Sequence, residues 1–558
     1  MTTTIEKIRS SVIGANRAIT TSFGVKPLVY ADYTASGRAL GFIEDAINEQ
    51  VLPYYANTHT ETSLTGARTT ALREQAREVI RASVNGTAAD KVIFCGSGAT
   101  AAINKLIDIL NLRLPADLSD RYELDAKIPT AARPVVFIGP YEHHSNELPW
   151  RESIAEVVSI PLNKNGQIDT AILQAQLKRF ANRELLIGSF SAASNVTGIK
   201  SDVPAITALL KQFGAQAFWD YAAAGPYVGI DVNGEAPIDA VFLSPHKFVG
   251  GPGTPGVLVV KETLLGNRVP AVVGGGTVAY VTPEDHIFLA DAERREEGGT
   301  PAIVESIRAG MVFAVQQSVG TDVIEAREHA LIDRALKRLQ AFPNIEVLGS
   351  VEAPRLSIVS MRFKHGERDL HYGFVVSLLN DLYGIQVRGG CSCAGPYGHS
   401  LLNMDMRHSK ALEAQIRTGS TLLRPGWVRL NFNYFISEGE FEYLLEALET
   451  IAEHGWRLLP LYQYDEASGV WRYQSAQAPS QVSLLDCLAG NPDAAMVSTL
   501  ADSEYPDIAD AAKTELLLTR SIGTVKDPKL GADAEALRWF VLPSEVRDEL
   551  EMPRATVA

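Results

Sequence analysis

Lys247 ends the run Ser244-Pro245-His246-Lys247, which follows the mainly apolar stretch Ile238 to Leu243 and precedes the Gly/Pro-rich turn Val249-Gly250-Gly251-Pro252-Gly253. A lysine just past a buried strand, beside flexible backbone, is placed to form an imine with an aldehyde, because desolvation lowers its pKa and frees the amine. Most strand-end lysines are surface residues, so the neighbours decide. Asp220 closes the strand-like Ala217-Phe218-Trp219, twenty-seven positions earlier. An aldehyde-bearing pyridine needs such a carboxylate against its ring nitrogen, so that the protonated ring can absorb the electrons of a carbanion. Asp at the carboxyl end of a parallel strand points into the crevice where ligands bind. Its ordinary alternative is a helix N-cap or a turn residue. Gly96-Ser97-Gly98-Ala99-Thr100 adds a glycine turn into a helix, whose backbone N–H groups and Thr100 hydroxyl suit a phosphate.

These residues must be held by regular elements, and the chain supplies them. From Pro27 to about Lys261, short β-branched runs alternate with amphipathic stretches. Strands are expected at Lys91 to Cys95, Val135 to Ile138, Leu185 to Ser189, Ala217 to Asp220, Ile238 to Leu243 and Val257 to Val260. Helices are expected at Thr69 to Ala82, Ala99 to Leu112, Thr170 to Phe180 and Val203 to Phe213. The alternation predicts an α/β fold with a mostly parallel sheet. After Gly274-Gly275-Gly276, a helix over Ile303 to Val319 and mixed patterns to about Leu459 predict a smaller α+β domain. Beyond Leu459 the chain turns irregular and acidic, an accessory extension in which Leu537 to Leu542 still suggests packing.

At 558 residues the chain has room for about three or four domains. A net charge of −15 disfavours a nucleic-acid surface, which depends on basic residues. Four cysteines (Cys95, Cys391, Cys393, Cys487) in so long a chain read as reduced thiols rather than a disulfide framework. MTTTIEKIRSSVIGAN lacks the apolar core of a signal peptide and no apolar run approaches a membrane span, so a cytoplasmic protein with no membrane partner is expected.

In order along Val29 to Leu459 stand Tyr30-Ala31-Asp32-Tyr33-Thr34-Ala35, Gly96-Ser97-Gly98-Ala99-Thr100, Glu142-His143-His144-Ser145-Asn146, Ser194-Asn195-Val196-Thr197-Gly198, Trp219-Asp220, Ser244-Pro245-His246-Lys247 and Arg388-Gly389-Gly390-Cys391-Ser392-Cys393-Ala394-Gly395-Pro396. With these motifs the chain resembles the class V aminotransferase family, in its cysteine desulfurase and selenocysteine lyase branch. The resemblance implies the type I pyridoxal-5′-phosphate (PLP) fold. The division it implies is an N-terminal segment (1–24) packing on the small domain, a large PLP-binding domain (25–298) and a small domain carrying the cysteine loop (299–459); the accessory extension (460–558) has no counterpart in the family.

The resemblance also implies roles. Lys247 would hold PLP as a Schiff base and later shuttle protons, and His143 would stack on the pyridine ring and assist proton transfer. Asp220 would face the ring nitrogen and Asn195 would donate to the phenolic oxygen. Ala99, Thr100, Ser244 and His246 would hold the phosphate, with Thr277 reaching the phosphate of a neighbouring subunit in a homodimer. Arg429, in Trp427-Val428-Arg429-Leu430, matches the arginine that binds the substrate α-carboxylate through two parallel hydrogen bonds.

Cys393 matches the loop cysteine that attacks the sulfur of a PLP-bound amino acid. It would form a persulfide, leave alanine, and pass sulfur, or selenium, to an acceptor protein. Cys391, where many relatives carry histidine, would resolve the persulfide, bind a metal with Cys393 and the nearby His399 and His408, or do neither. No metal is expected. Ala223 replaces a glutamine that often helps hold the phenolic oxygen, and this departure keeps open another outcome: transamination, epimerisation or β-elimination on another amino acid. A scaffold without catalysis is disfavoured by the retention of Lys247, Asp220 and His143.

Overall fold

Strands rich in Val, Ile and Phe, buried on both faces, form the centre of the computed structural model, which describes residues 3–58, 60–476, 483–489, 498–518 and 522–552. The chain divides into two compact units. The first comprises Met1–Ile13, Tyr33–His329 and Glu352–Leu356. Its seven-stranded sheet contains β1 (Asp90–Cys95), β2 (Val135–Ile138), β3 (Glu156–Ser159), β4 (Leu186–Ser191), β5 (Gln216–Asp220), β6 (Ala240–Leu243) and β7 (Gly256–Lys261), in the order β1-β7-β6-β5-β4-β2-β3. Every pairing is parallel except those of β7, which runs antiparallel to both β1 and β6. The carboxyl ends of β1, β2, β4, β5 and β6 therefore emerge along one edge of the sheet. The mostly parallel sheet matches expectation, whereas β3 was not foreseen. It is a short edge strand, half-buried and without the apolar run that marks the central ones.

Helices α1 (Leu64–Ser83), α2 (Gly98–Ile109), α3 (Thr170–Arg179), α4 (Val203–Gln212) and α5 (Ile303–Val319) belong to the same unit. Helices α1 and α5 touch where Gly310 meets Ala76; a Cβ at Gly310 would lie 2.5 Å from the Ala76 Cα. Arg73 and Arg77 of α1 bind the buried Glu297 carboxylate at 2.7 and 3.0 Å, and Glu297 also accepts from the Phe94 N–H of β1 at 2.7 Å. Burial alone would raise the Glu297 pKa, but Arg77 and Arg73 hold it below the usual carboxylate range. A hairpin of β8 (Val278–Val281) and β9 (His286–Phe288) completes the unit, with Tyr280, Val281 and Ile287 exposed.

The second unit comprises Gly14–Asp32, Ala330–Val351 and Ser357–Ala558. Strands β10 (Ile345–Val347), β11 (Ile358–His365), β13 (Arg388–Gly390) and β14 (Trp427–Asn431) form an antiparallel sheet in the order β10-β11-β14-β13, and β12 (Arg368–Leu370) pairs with β11. Helices α6 (Tyr372–Tyr383) and α9 (Glu438–His454) bury Phe374, Leu378, Leu382, Phe441, Leu445 and Leu448 in its core, while α7 (Gly395–Leu401) and α8 (Met406–Arg417) lie in sequence between β13 and β14.

Residues after Leu459 belong to that core. The hairpin of β15 (Tyr462–Asp465) and β16 (Val470–Tyr473) buries Trp471, α10 (Tyr505–Leu517) buries Tyr505 and Leu516, and Phe540 and Val546 of the last segment, which ends in α11 (Pro543–Glu551), are fully buried. Tyr505 stacks on Tyr443 at 4.4 Å and donates to Asn16 Oδ1 at 2.8 Å. His371, buried, stacks on Trp539 at 5.2 Å and meets Phe540 edge-on, while its Nδ1 accepts from the Trp471 Nε1–H at 3.2 Å. Phe540→Ala should therefore lower stability by about 3–5 kcal/mol, the usual range for removing a buried phenyl ring. Urea unfolding followed by tryptophan fluorescence checks this; an unchanged midpoint would show that the last segment adds nothing to the core.

Candidate active site

The loops at the carboxyl edge of the first unit's sheet carry the residues that drew attention in the sequence. Between β1 and α2, Gly98 has φ +56, and a Cβ there would meet Ser244 Oγ and His246 Cε1 at 2.9 Å. Glycine is needed both for that backbone and for that approach. The Ala99 N–H donates to Ser244 Oγ at 2.8 Å, so the N-terminus of α2 is tied to the loop after β6. Gly256 closes the floor, since a Cβ there would sit 2.1 Å from the Gly98 carbonyl oxygen. The result is a cradle of N–H groups, a hydroxyl and an imidazole. Burial, and then the nearby Lys247 charge, push the His246 pKa down to about 4, so the ring is neutral and can donate without adding charge.

Lys247 ends a single 3-10 turn, Pro245–Lys247, directly after β6. The turn is clamped from outside: Gly37 N–H donates to the His246 carbonyl at 2.8 Å, and a Cβ at Gly251 would strike the Pro245 carbonyl oxygen at 2.0 Å. Asp220, at the end of β5, is 3% exposed. Burial pushes its carboxyl up, while the Ala222 N–H at 2.8 Å and the Lys247 ammonium pull it back down. Residues 220 and 247 are thus near enough to feel each other's charge.

His143 follows β2 and is positioned through Ser145. The Ser145 N–H donates to His143 Nδ1 at 3.1 Å, which leaves the ring proton on Nε2, and the Ser145 hydroxyl lies 3.0 Å from Nδ1 and 2.6 Å from the Thr100 hydroxyl. The histidine and the α2 N-terminus are joined by one hydroxyl chain. Glu142, next to it, is buried and accepts from the Ser191 hydroxyl at 2.6 Å, Asn146 Nδ2 at 2.7 Å, and the Ser191 and Gly139 N–H groups. Asn195 lies buried in a loop that the Ser194 hydroxyl organises by accepting from the N–H groups of Val196 and Thr197. Ala223 is buried beside the Asp220 turn. Thr277 is fully buried, with its hydroxyl donating to the Gly274 carbonyl at 2.7 Å within its own turn.

In the second unit Arg429 lies on β14, 3% exposed, with Nη2 3.1 Å from Asp32 Oδ1. Arg388, its cross-strand neighbour on β13, reaches Asp32 Oδ2 at 3.1 Å. Burial pushes the Arg429 pKa down, Asp32 pushes it up, and the charges of Arg388 and Cys393 also reach it. Cys391 and Cys393 are exposed free thiols in the turn after β13. Cys95, by contrast, is buried and its pKa is pushed up to about 12, so it stays a thiol.

The first unit therefore assembles Ala99, Thr100, His143, Asn195, Asp220, Ser244, His246 and Lys247 on the loops of one sheet edge, and the second joins Arg429 to the cysteine turn. Residues given no role from sequence take part as well: Ser145 orients His143, Glu142 anchors the loop beneath it, and Asp32 counters two arginines. Each stood inside a recognised motif; the spacing of Ser145 two positions after His143 was the one available signal, that of a side chain capping a local turn. The first unit's set fits PLP: the cradle at Gly98 suits a phosphate and the buried Asp220 suits a ring nitrogen. Among the described residues no three His, Cys, Asp or Glu side chains cluster closely enough to hold a metal ion, and no helix is long and apolar enough to cross a membrane.

Comparison with known proteins agrees with this geometry. Residues 29–419 match the family described as Aminotransferase class-V. A probable cysteine desulfurase of Streptomyces coelicolor is 30% identical over 370 residues, covering 66% of this chain and 84% of that protein. A cysteine desulfurase of Salmonella newport is 30% identical over 403 residues, covering 71% and 90%. The fold is similar to that of a cysteine desulfurase from Thermococcus onnurineus, with TM-score 0.62 and 22% identity over 76% of this chain and 95% of that one. It is similar too to one from Escherichia coli, with TM-score 0.59 and 22% identity over 76% and 94%. These neighbours identify the architecture as the type I PLP fold.

Glu142 gives the site a pH signature. Burial raises its pKa from 4.5, hydrogen bonds from Ser191 and Asn146 pull it down, Asp220 pushes it up, and the net value is about 8. The folded protein thus keeps a proton that the unfolded chain loses, so this contribution to stability is full below about pH 4.5 and is lost as pH rises through about 8. Glu142→Gln should flatten the fall in urea midpoint across that window; an identical slope in both proteins would place the titration elsewhere.

Proposed function

The chain belongs to the aminotransferase class-V family and is a PLP-dependent enzyme, and from that premise we propose that it is a cysteine desulfurase. It would remove sulfur, or selenium, from L-cysteine or a related amino acid, release alanine and hold the sulfur as a persulfide on Cys393 for an acceptor protein. The observation that carries this reading is the exposed Cys393 thiol, set in the turn after β13, the strand whose Arg388 pairs across to Arg429 on β14.

PLP, when bound, draws electrons from the substrate Cα. Lys247, confined in a clamped turn, would hold the aldehyde and then move the proton at the substrate Cα. Asp220 would keep the ring nitrogen protonated, and His143, oriented by the Ser145 N–H, would face the ring. Ala99, Thr100, Ser244 and the neutral His246 would hold the phosphate, the Ala99 N–H turning to it from Ser244 Oγ, while Asn195 would donate to the phenolic oxygen. Arg429 takes the α-carboxylate through its planar fork. Cys393 then attacks the substrate sulfur as a thiolate.

The chain would act as a homodimer, as the family resemblance implies, and the exposed Val272, Val273, Tyr280, Val281 and Ile287 on and before the β8–β9 hairpin support a covered face there. The Thr277 hydroxyl is committed to its own turn, so the hairpin rather than that side chain is the better support for a second copy. A cytoplasmic setting suits the free thiols. The rival outcome, transamination, epimerisation or β-elimination on another amino acid with Cys393 idle, draws on the buried Ala223, which removes one donor toward the phenolic oxygen.

Two experiments separate these readings. Purified protein should be yellow, and Lys247→Ala should lose the wild-type cofactor spectrum and at least about 10²–10⁴-fold of the rate, the usual contribution of a positioned acid–base group; a colourless wild type that PLP cannot reconstitute would remove the cofactor assignment. With L-cysteine and a reductant the enzyme should release sulfide and alanine, and Cys393→Ala should stop both while the colour remains. Alanine production that survives this change would remove Cys393 from the reaction, and pyruvate, the 2-oxo acid or D-cysteine in place of alanine would favour the rival chemistry.

A further inference from the structure

The cysteine turn holds a second thiol that the proposed reaction does not use. Cys391 is exposed, as is Cys393, and the two are separated only by Ser392. The Ala394 N–H donates to the Cys391 carbonyl at 3.3 Å, closing a four-residue turn whose central residues both have left-handed backbone, Ser392 at φ +54 and Cys393 at φ +56. Non-glycine residues seldom occupy that region, and two in succession form a compact reversal that the surroundings must enforce. They do so at its base: Gly390 has φ +122, and a Cβ at Gly426 would lie 2.7 Å from the Gly390 Cα and from a ring carbon of Tyr372. Cys391 itself lies close enough to Tyr372 that its charge is felt there.

In a reversal this tight, Cα atoms two residues apart are separated by about 5.5 Å, within the range a disulfide spans. We infer that Cys391 is a resolving thiol, which attacks the Cys393 persulfide, closes a Cys391–Cys393 disulfide and expels the outer sulfur as hydrosulfide. The inference rests on the desulfurase reading above. The step balances without an outside oxidant. The Cys391 thiolate forms a bond to Cys393 Sγ, the bond from that Sγ to the outer sulfur breaks, and its electron pair leaves with HS⁻. The outer sulfur is reduced as the two cysteine sulfurs become a disulfide. Return to the dithiol needs a thiol reductant, a small dithiol or a dithiol protein, acting by exchange on an exposed bond. The product delivered is then free sulfide, released in step with an external reductant, rather than sulfane sulfur held for direct hand-over.

Mass spectrometry of the full-length holoenzyme after one exposure to L-cysteine, with no reductant, tests this. The wild type should release sulfide and lose about 2 Da as the 391–393 peptide becomes a disulfide. Cys391→Ser should release alanine but no sulfide, and its Cys393 peptide should be about 32 Da heavier until dithiothreitol is added. A wild type that keeps the heavier, persulfidated peptide overturns the inference and leaves the desulfurase reading intact. Absence of alanine from the wild type overturns both. Loading the wild type with inorganic polysulfide, without any amino acid, gives a second readout that needs neither turnover nor the variant: the disulfide should form there too, and a stable persulfide would sink the proposal.

Discussion

A carboxylate and an amine set at the ends of neighbouring central strands, in a place where water is scarce, constrain the rest of the first unit. Asp220 is almost fully buried, and an unpaired carboxylate there would be costly. Lys247 and the Ala222 N–H offset that cost, and both depend on the register of β5 with β6, which sets Asp220 opposite Phe242. A one-residue slip would turn Asp220 to the other face of the sheet. The sheet must therefore be stiff, and its burial on both faces, together with the Arg73–Arg77–Glu297 cluster that ties α1 to β1, supplies that stiffness. Removing one partner from such a buried cluster costs far more than the cluster contributes as a whole.

The parallel strands explain why so much of this was legible in the amino-acid order. A strand buried on both faces must be continuously apolar, so Val135 to Ile138 and Ala217 to Asp220 announce themselves, and the residue after each is at the edge where ligands sit. The helices α3 and α4 begin at Thr170 and Val203 as the sequence pattern placed them, because Asp169 and Asp202 cap them. Edge strand β3 escaped notice because Glu156–Ser159 packs on one side only. Ser145 and Glu142 were visible as letters in a motif, but their work is done through hydrogen bonds to Thr100 and Ser191, which lie far away in the chain.

The segment beyond Leu459 shows the opposite case. Its apolar residues come in short clusters, Val470-Trp471, Leu516-Leu517-Leu518 and Trp539-Phe540-Val541-Leu542, far apart in the chain, so only Leu537 to Leu542 signals packing and no regular period runs through the segment. Aromatic rings compensate for sparse spacing with large buried area and directional contacts. His371 is the focus, with Trp539 stacked on it, Phe540 at its edge and Trp471 donating to its Nδ1. Burial pushes that imidazole's pKa down to about 3, so it serves as a neutral aromatic ring that also accepts hydrogen bonds, and neither role is written in the local sequence.

Asp32 bears on how an arginine is held charged on a buried strand. Arg429 is 3% exposed, and burial by itself pushes its pKa down. Asp32 supplies the counter-charge through Nη2 and shares itself with Arg388, so one carboxylate serves two guanidinium groups. A guanidinium fork carries five donors in a fixed plane, and here two forks meet around one carboxylate. An incoming α-carboxylate would then complete the charge balance of a cluster that already exists, without first having to displace Asp32. The cysteine turn follows directly from β13, the strand that carries Arg388 and pairs with the strand of Arg429, so the two exposed thiols and the two guanidinium groups are held by one pair of strands.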